Sequence, residues 1–215
     1  MQRDFQVFAC CLGPAGETMP EVPRLAFDGD PAPGPLAGVI LAQEPEARAR
    51  QLLQAGAPRV FLGEAALKDS SAVDRLAAQF GRERVGVYAT ARRMAVSWAL
   101  ETVSNADFRF MMPTHCEPCW EVLNAAREGT GTEVAWWLGE MSSLGAMSLL
   151  LRADVHDDTD LDILARIAEQ HGERLWVGPL EDPEPALADW IERAGVRRLA
   201  LPHSLLARVP DLGLP

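Results

Sequence analysis

The chain has 215 residues, 48% hydrophobic and 24% charged, ordinary globular values with enough apolar mass for one large core. A formal net charge of −11 opposes phosphate backbones and excludes non-specific nucleic-acid binding. No apolar run reaches the roughly 20 residues that span a bilayer, the start MQRDFQVFACC lacks the order of a signal peptide, and four cysteines do not indicate a disulfide framework; a cytoplasmic protein with reduced thiols is expected.

Phe5 to Leu12, FQVFACCL, is a continuous apolar run suited to a strand buried on both faces. Gly13 to Pro35 is rich in Gly and Pro and admits no helix, after which Leu36 to Leu41 reads as a strand and PEARARQLLQAG as a helix stopped by Gly56. Ala55 to Arg93 is the clearest stretch. Val60 to Gly63 is a short buried strand, Ser70 and Ser71 offer an N-cap, and Val73, Leu76, Ala77 and Phe80 recur at helical spacing before Gly81. The strand Val85 to Ala89 completes a βαβ unit, which implies parallel strands with helices packed outside.

Residues 94–119 form an insertion after that strand, in which DFRFMM alternates as a strand does. Helix and strand then alternate: Glu133 to Leu144, Met147 to Leu151, Asp160 to His171, Leu175 to Val177, Glu184 to Arg193 and Arg198 to Leu201. An internal echo relates QAGAPRVFLGEAAL, Gln54 to Leu67, to RAGVRRLALPHSLL, Arg193 to Leu206, with Gly56 and Gly195 in corresponding places. Self-similarity separated by about half a barrel points to two related halves.

Two stretches, GAPRVFLGEAALKDSSAVDRLAAQFGRERVGVYATARR and WEVLNAAREGTGTEVAWWLGEMSSLGAMSLLL, resemble the cyclase subunit of imidazole glycerol phosphate synthase and its sister isomerase of histidine biosynthesis. The resemblance runs from about Leu36 to Leu206 and implies one α/β domain over residues 1–215, a TIM-type (β/α) barrel. Gly29-Asp30-Pro31 matches the family's first loop, yet the chain then enters LAGVIL directly, as if one helix-strand-helix were missing near the N-terminus. Such a barrel is incomplete or distorted, since strand number, tilt and shear must agree for closure. Either Val22 to Phe27 supplies an irregular replacement strand, or a protein partner or second copy covers an open edge.

Active sites of such barrels lie at the C-terminal strand ends. The resemblance places the family's two catalytic aspartates at Leu12 and Thr90, neither of which exchanges protons as a carboxylate does. Its phosphate-binding glycine turns become Ile40-Leu41-Ala42 and Pro179-Leu180-Glu181-Asp182, with Leu201-Pro202-His203 at the second phosphate site. Proline removes a donor and carboxylates repel phosphate. The leading expectation is therefore a repurposed or non-catalytic barrel without cofactor that binds a ligand or partner.

Ligand-binding candidates are Arg92 and Arg93, which can hold an anion bidentately, His156 and Asp157, His203, and Trp120, one of several indoles (Trp98, Trp136 and Trp137 besides) able to stack on a ligand or to seal the barrel mouth as core. Thr130-Gly131-Thr132 is read as a helix N-cap. Cys116-Glu117-Pro118-Cys119 preceded by His115, with Cys10 and Cys11, can bind zinc or another soft metal or cycle as a dithiol; buried thiols packing as small apolar groups are the alternative. An enzyme using that Cys/His chemistry is thus a second reading, and an authentic cyclase with rearranged acids a third.

Overall fold

The structure, a computed structural model, describes residues 5–11, 22–30, 35–94, 103–105, 108–110 and 117–209. In chain order the elements are β1 (Gln6–Cys11), β2 (Arg24–Phe27), β3 (Leu36–Leu41), α1 (Glu46–Gln54), β4 (Val60–Leu62), α2 (Glu64–Lys68), α3 (Ser71–Phe80), β5 (Val85–Arg93), β6 (Val103–Asn105), β7 (Phe108–Phe110), β8 (Trp120–Leu123), β9 (Gly129–Glu133), α4 (Val134–Ser143), β10 (Ser148–Arg152), α5 (Asp158–His171), β11 (Leu175–Gly178), α6 (Leu187–Glu192), β12 (Arg198–Leu201) and α7 (His203–Leu206). No helix among the described residues is long and apolar enough to cross a membrane.

Eight parallel strands, in the order β10-β11-β12-β1-β2-β3-β4-β5, close on themselves where β5 pairs with β10. This is a TIM-type barrel, and it is complete. The expected open edge is corrected by β2, the replacement strand, which pairs in parallel with both β1 and β3 and absorbs the irregularity in a register shift between Arg24 and Leu25. The described residues place no helix on either side of β2. The segment Asp28–Pro35 nevertheless suffices to return to the start of β3, because eight residues reach ~26 Å extended and a six-residue strand is ~20 Å long. Arg48 of α1 grips Asp28 just past β2 through two hydrogen bonds of 2.7 and 2.8 Å, which hold that carboxyl below its usual pKa.

Strands buried on both faces carry two cores. Outside the ring, Val39, Leu41, Val60, Leu62, Val85, Val87, Leu149 and Leu151 pack against Val73 and Leu76 of α3, Leu138 of α4 and Leu164 and Ile167 of α5. Inside, Cys10, Leu25, Ile40, Phe61, Leu150, Trp176 and Ala200 fill the barrel, with Phe8 stacked on Trp176 at 4.0 Å between ring centroids. Gly38 faces Phe61, where a Cβ would stand 2.7 Å from the ring.

Two local expectations change. Asp69, not Ser70, caps α3 by accepting from the Ser71 amide at 3.1 Å. Thr130-Gly131-Thr132 belongs to β9 rather than to a helix cap; the Thr130 hydroxyl donates to the Val122 carbonyl at 2.8 Å. β8 and β9 form a hairpin that continues β5 antiparallel beyond the barrel, through Ala91 opposite Val122 and Arg93 opposite Trp120.

Leu25 is fully buried inside the ring. If β2 closes the barrel, Leu25→Ala is expected to cost ~2–5 kcal/mol in urea unfolding; a loss under ~1 kcal/mol would mean that closure does not rest on this strand.

Candidate functional site

At the C-terminal strand ends lies a cavity of about 270 Å³. Phe27 at the end of β2, Gln43 after β3, Glu64 after β4, Tyr88 and Thr90 of β5 and Arg152 of β10 form its walls, and Asn124, Ala125 and Arg127 from the tip of the β8–β9 hairpin roof it. The tip is held on both sides. The Ala125 amide donates to Glu64 Oε2 at 3.1 Å, and Arg127 Nη1 lies 3.2 Å from Glu181 Oε1 across the mouth. Arg127 itself takes the left-handed backbone conformation at φ 63° that the turn requires.

Arg152 ends the apolar strand SLLLR and is only 7% exposed. Its Nε donates to the Pro179 carbonyl at 2.8 Å and its Nη2 to the Leu180 carbonyl at 2.9 Å, and the guanidinium lies close enough to Tyr88 to act on its hydroxyl. No ion pair among the described residues includes it. A buried cation bonded to neutral groups alone leaves part of its charge uncompensated, and an anion entering the cavity would offset it. Burial pushes the Tyr88 hydroxyl pKa up, against the opposing effect of Arg152, so the phenol stays protonated at neutral pH as a donor.

Two residues on, Asp154 addresses the same loop from the other side. Its Oδ1 accepts from the Leu180 amide at 2.8 Å, the Glu181 amide at 3.0 Å and the Asp182 amide at 3.0 Å. Three consecutive N–H groups converging on one oxygen form an anion nest, and the chain's own carboxylate fills it.

The residues singled out from sequence divide. Arg93, Trp120, His156 and Asp157 come together, though not in the cavity. They surround the buried Asp160, whose Oδ1 accepts from Arg93 Nε and from Trp120 Nε1, each at 2.9 Å, and whose Oδ2 accepts from the His156 amide at 3.1 Å. Asp157 caps α5, accepting from the Asp160 amide at 2.9 Å, and pairs with Arg93. Arg92 lies 3.2 Å from Glu121. His203 begins α7, half-buried, and Thr90 lines the cavity.

Cys10 points into the barrel among Leu25, Ile40 and Phe61; Cys119 packs by β8, 4.0 Å from the Met94 sulfur, where burial raises its thiol pKa. Cys11 ends β1. Leu12, Trp98, His115 and Cys116 lie outside the described residues, and among those described no cluster of three or more His, Cys, Asp or Glu is placed to hold a metal ion. Trp120 and Trp137 are core, whereas Trp136 is 59% exposed on α4.

Sequence reasoning missed Glu64, Tyr88, Arg152 and Asp154. The available signals were the chain's sole tyrosine within a buried strand and a lone arginine closing an otherwise apolar one, both where barrel strands present chemistry.

A family model described as "Histidine biosynthesis protein" matches residues 44–171, from the loop after β3 to the end of α5. The chain belongs to this family. The imidazole glycerol phosphate synthase subunit HisF of Synechocystis sp. is 31% identical over 126 residues, covering 56% of this chain and 41% of that protein. The same subunit of Trichormus variabilis is 30% identical over 125 residues, 56% of this chain and 42% of the relative, and that of Prochlorococcus marinus 29% over 160 residues, 72% and 54%. The chain spans about half the length of the curated relatives it matches.

The Arg93 guanidinium, and next the Asp160 amide, lower the Asp157 pKa to about 2 from an ordinary value near 4. Ionised Asp157 therefore contributes stability that is complete above the ordinary value and lost as pH falls from there through 2. A melting temperature plotted from pH 5 to pH 2 is expected to fall less steeply for Asp157→Asn than for the wild type; parallel curves would show that this capping network carries no acid sensitivity.

Proposed function

We propose that this barrel binds a small ligand carrying one anionic group in its C-terminal mouth, and that it does not run the cyclase reaction of the synthase subunits it resembles. The observation that carries this reading is the filled nest. In the resembling family, backbone amides after the seventh strand grip a substrate phosphate; here the Leu180, Glu181 and Asp182 amides are taken by Asp154. An incoming phosphate would have to displace a covalently tethered carboxylate and sit beside Glu181 and Asp182. Thr90 standing where the resemblance places a catalytic aspartate supports the same conclusion.

What remains suits a different ligand. Arg152 offers a buried, unpaired cation, Tyr88 a protonated phenol, and Thr90, Gln43 and Asn124 neutral polar contacts, around a cavity at the small end of the range for ligand sites. A guanidinium held by two carbonyls is preorganised for one carboxylate or phosphomonoester group. Glu64 facing the same cavity favours a second reading, an enzyme acting on that ligand with Glu64 as base and Tyr88 as acid. The relatives' printed description as a subunit supports a protein partner for this chain as well.

Two experiments test the reading. The gene is expected not to restore growth to a histidine auxotroph lacking the cyclase subunit; colonies would overturn the loss of the family's reaction. In a thermal-shift screen of small carboxylates and phosphomonoesters, the compounds that stabilise the wild type are expected to bind Arg152→Met at least about tenfold more weakly. Undiminished binding by that variant would remove Arg152 from the site.

A further inference from the structure

The opposite end of the barrel holds a second set of cations outside any ion pair among the described residues, and the internal repeat puts them at corresponding positions. Aligned on Gly56 and Gly195, both at positive φ, the echo places Arg59 opposite Arg198. β4, which Arg59 precedes, and β12, which Arg198 begins, stand four strands apart in the ring of eight, on opposite walls. Arg59 shares its face with Phe61 and Arg198 with Ala200, both inside the barrel, so the two side chains enter from opposite sides at the N-terminal strand ends.

There both lie close to one ring. The guanidinium carbons lie 5.3 Å and 5.5 Å from the centroid of Trp176, itself 1% exposed. Cation–π attraction accounts for that placement but leaves most of their hydrogen-bond donors unused. Arg59 Nε donates to the Glu83 carbonyl at 3.0 Å, and no ion pair among the described residues includes either arginine. The Trp176 indole N–H is buried without an acceptor. The two like charges repel, and burial together with Arg198 lowers the Arg59 pKa. Both arginines are half-buried and within reach of solvent.

We infer that the N-terminal floor of the barrel binds one small tetrahedral oxyanion of the phosphate or sulfate class, held between Arg59 and Arg198 against Trp176. Donors arriving from opposite walls suit a tetrahedral anion better than a planar carboxylate. The bound ion cancels the repulsion, gives the donors acceptors and ties opposing walls of the ring together. This site is separate from the C-terminal mouth and does not depend on what binds there.

The test is calorimetric titration of the full chain with inorganic phosphate, ionic strength being held constant with chloride. A saturable equivalent is expected, weakened at least about tenfold in both Arg59→Met and Arg198→Met and unchanged in the surface variant Arg193→Met. In ¹⁵N-labelled wild type, the indole resonance that disappears in Trp176→Phe is expected to shift as phosphate is added, a readout independent of whether the arginine variants fold. Absence of saturable binding by the wild type, undiminished binding by both arginine variants, or an indole resonance that stays fixed at saturation would overturn the proposal. Binding lost in Arg152→Met but kept in the floor variants would also overturn it, and would place the phosphate in the mouth.

Discussion

The loop Pro179–Asp182 is held by two side chains of opposite charge from the end of one strand. Arg152 takes the Pro179 and Leu180 carbonyls and Asp154 the Leu180, Glu181 and Asp182 amides, so these groups are satisfied within the chain. The rest of the mouth follows from that clamp. It fixes the Arg152 head against Tyr88, sets Leu180 in the cavity wall, and presents Glu181 to the hairpin's Arg127. It also removes the one feature a phosphate would need there, since amides already bonded to a tethered carboxylate are no longer a nest for an incoming anion. A single short motif, RAD at 152–154, thus holds the loop by its carbonyls and fills its amides.

Closure of the ring is the second constraint. A parallel barrel tolerates no missing strand, because every ladder bond on one side must find a partner on the other. The chain meets this with four residues of β2 and a register shift, tied down by the Asp28–Arg48 pair where a helix would ordinarily cover the strand. The interior compensates for the irregular wall by size: Phe8, Phe61 and Trp176 pack across the axis, and Gly38 makes room for Phe61. With no edge left open, a partner is not needed to complete the sheet.

The βαβ unit from Val60 to Arg93 was legible because its strands are short apolar runs and Val73, Leu76 and Ala77 mark one helix face. β2 was legible only as one of two alternatives, since a four-residue strand in a Gly- and Pro-rich stretch carries no period of its own and exists because β1 and β3 flank it. The β8–β9 hairpin escaped for a related reason. Its second strand, GTGTE, has turn composition and is strand only by pairing with β8. Of the site, sequence marked the C-terminal end and Thr90 but chose arginines by their neighbourhood to β5. Arg92 and Arg93 lie beyond the barrel on the extension of β5, where Glu121, Asp157 and Asp160 are at hand to neutralise them. Arg152 carried only the slight signal of closing an apolar run, and the ring shows that its position points inward.

The distribution of charge gives the two proposed anion sites a common logic. The chain is strongly acidic, and its ion-paired arginines, such as Arg75, Arg166 and Arg193, lie on the surface where solvent screens them. Arg59, Arg152 and Arg198 instead face into the barrel, where the effective dielectric is lower and each charge acts strongly over a few ångströms. An acidic exterior repels polyanions over the whole surface, while a small anion that enters either end meets a guanidinium at close range with little competition from water. On these two proposals the arrangement would select by size as well as by sign, favouring small anions over nucleic acids and acidic protein surfaces.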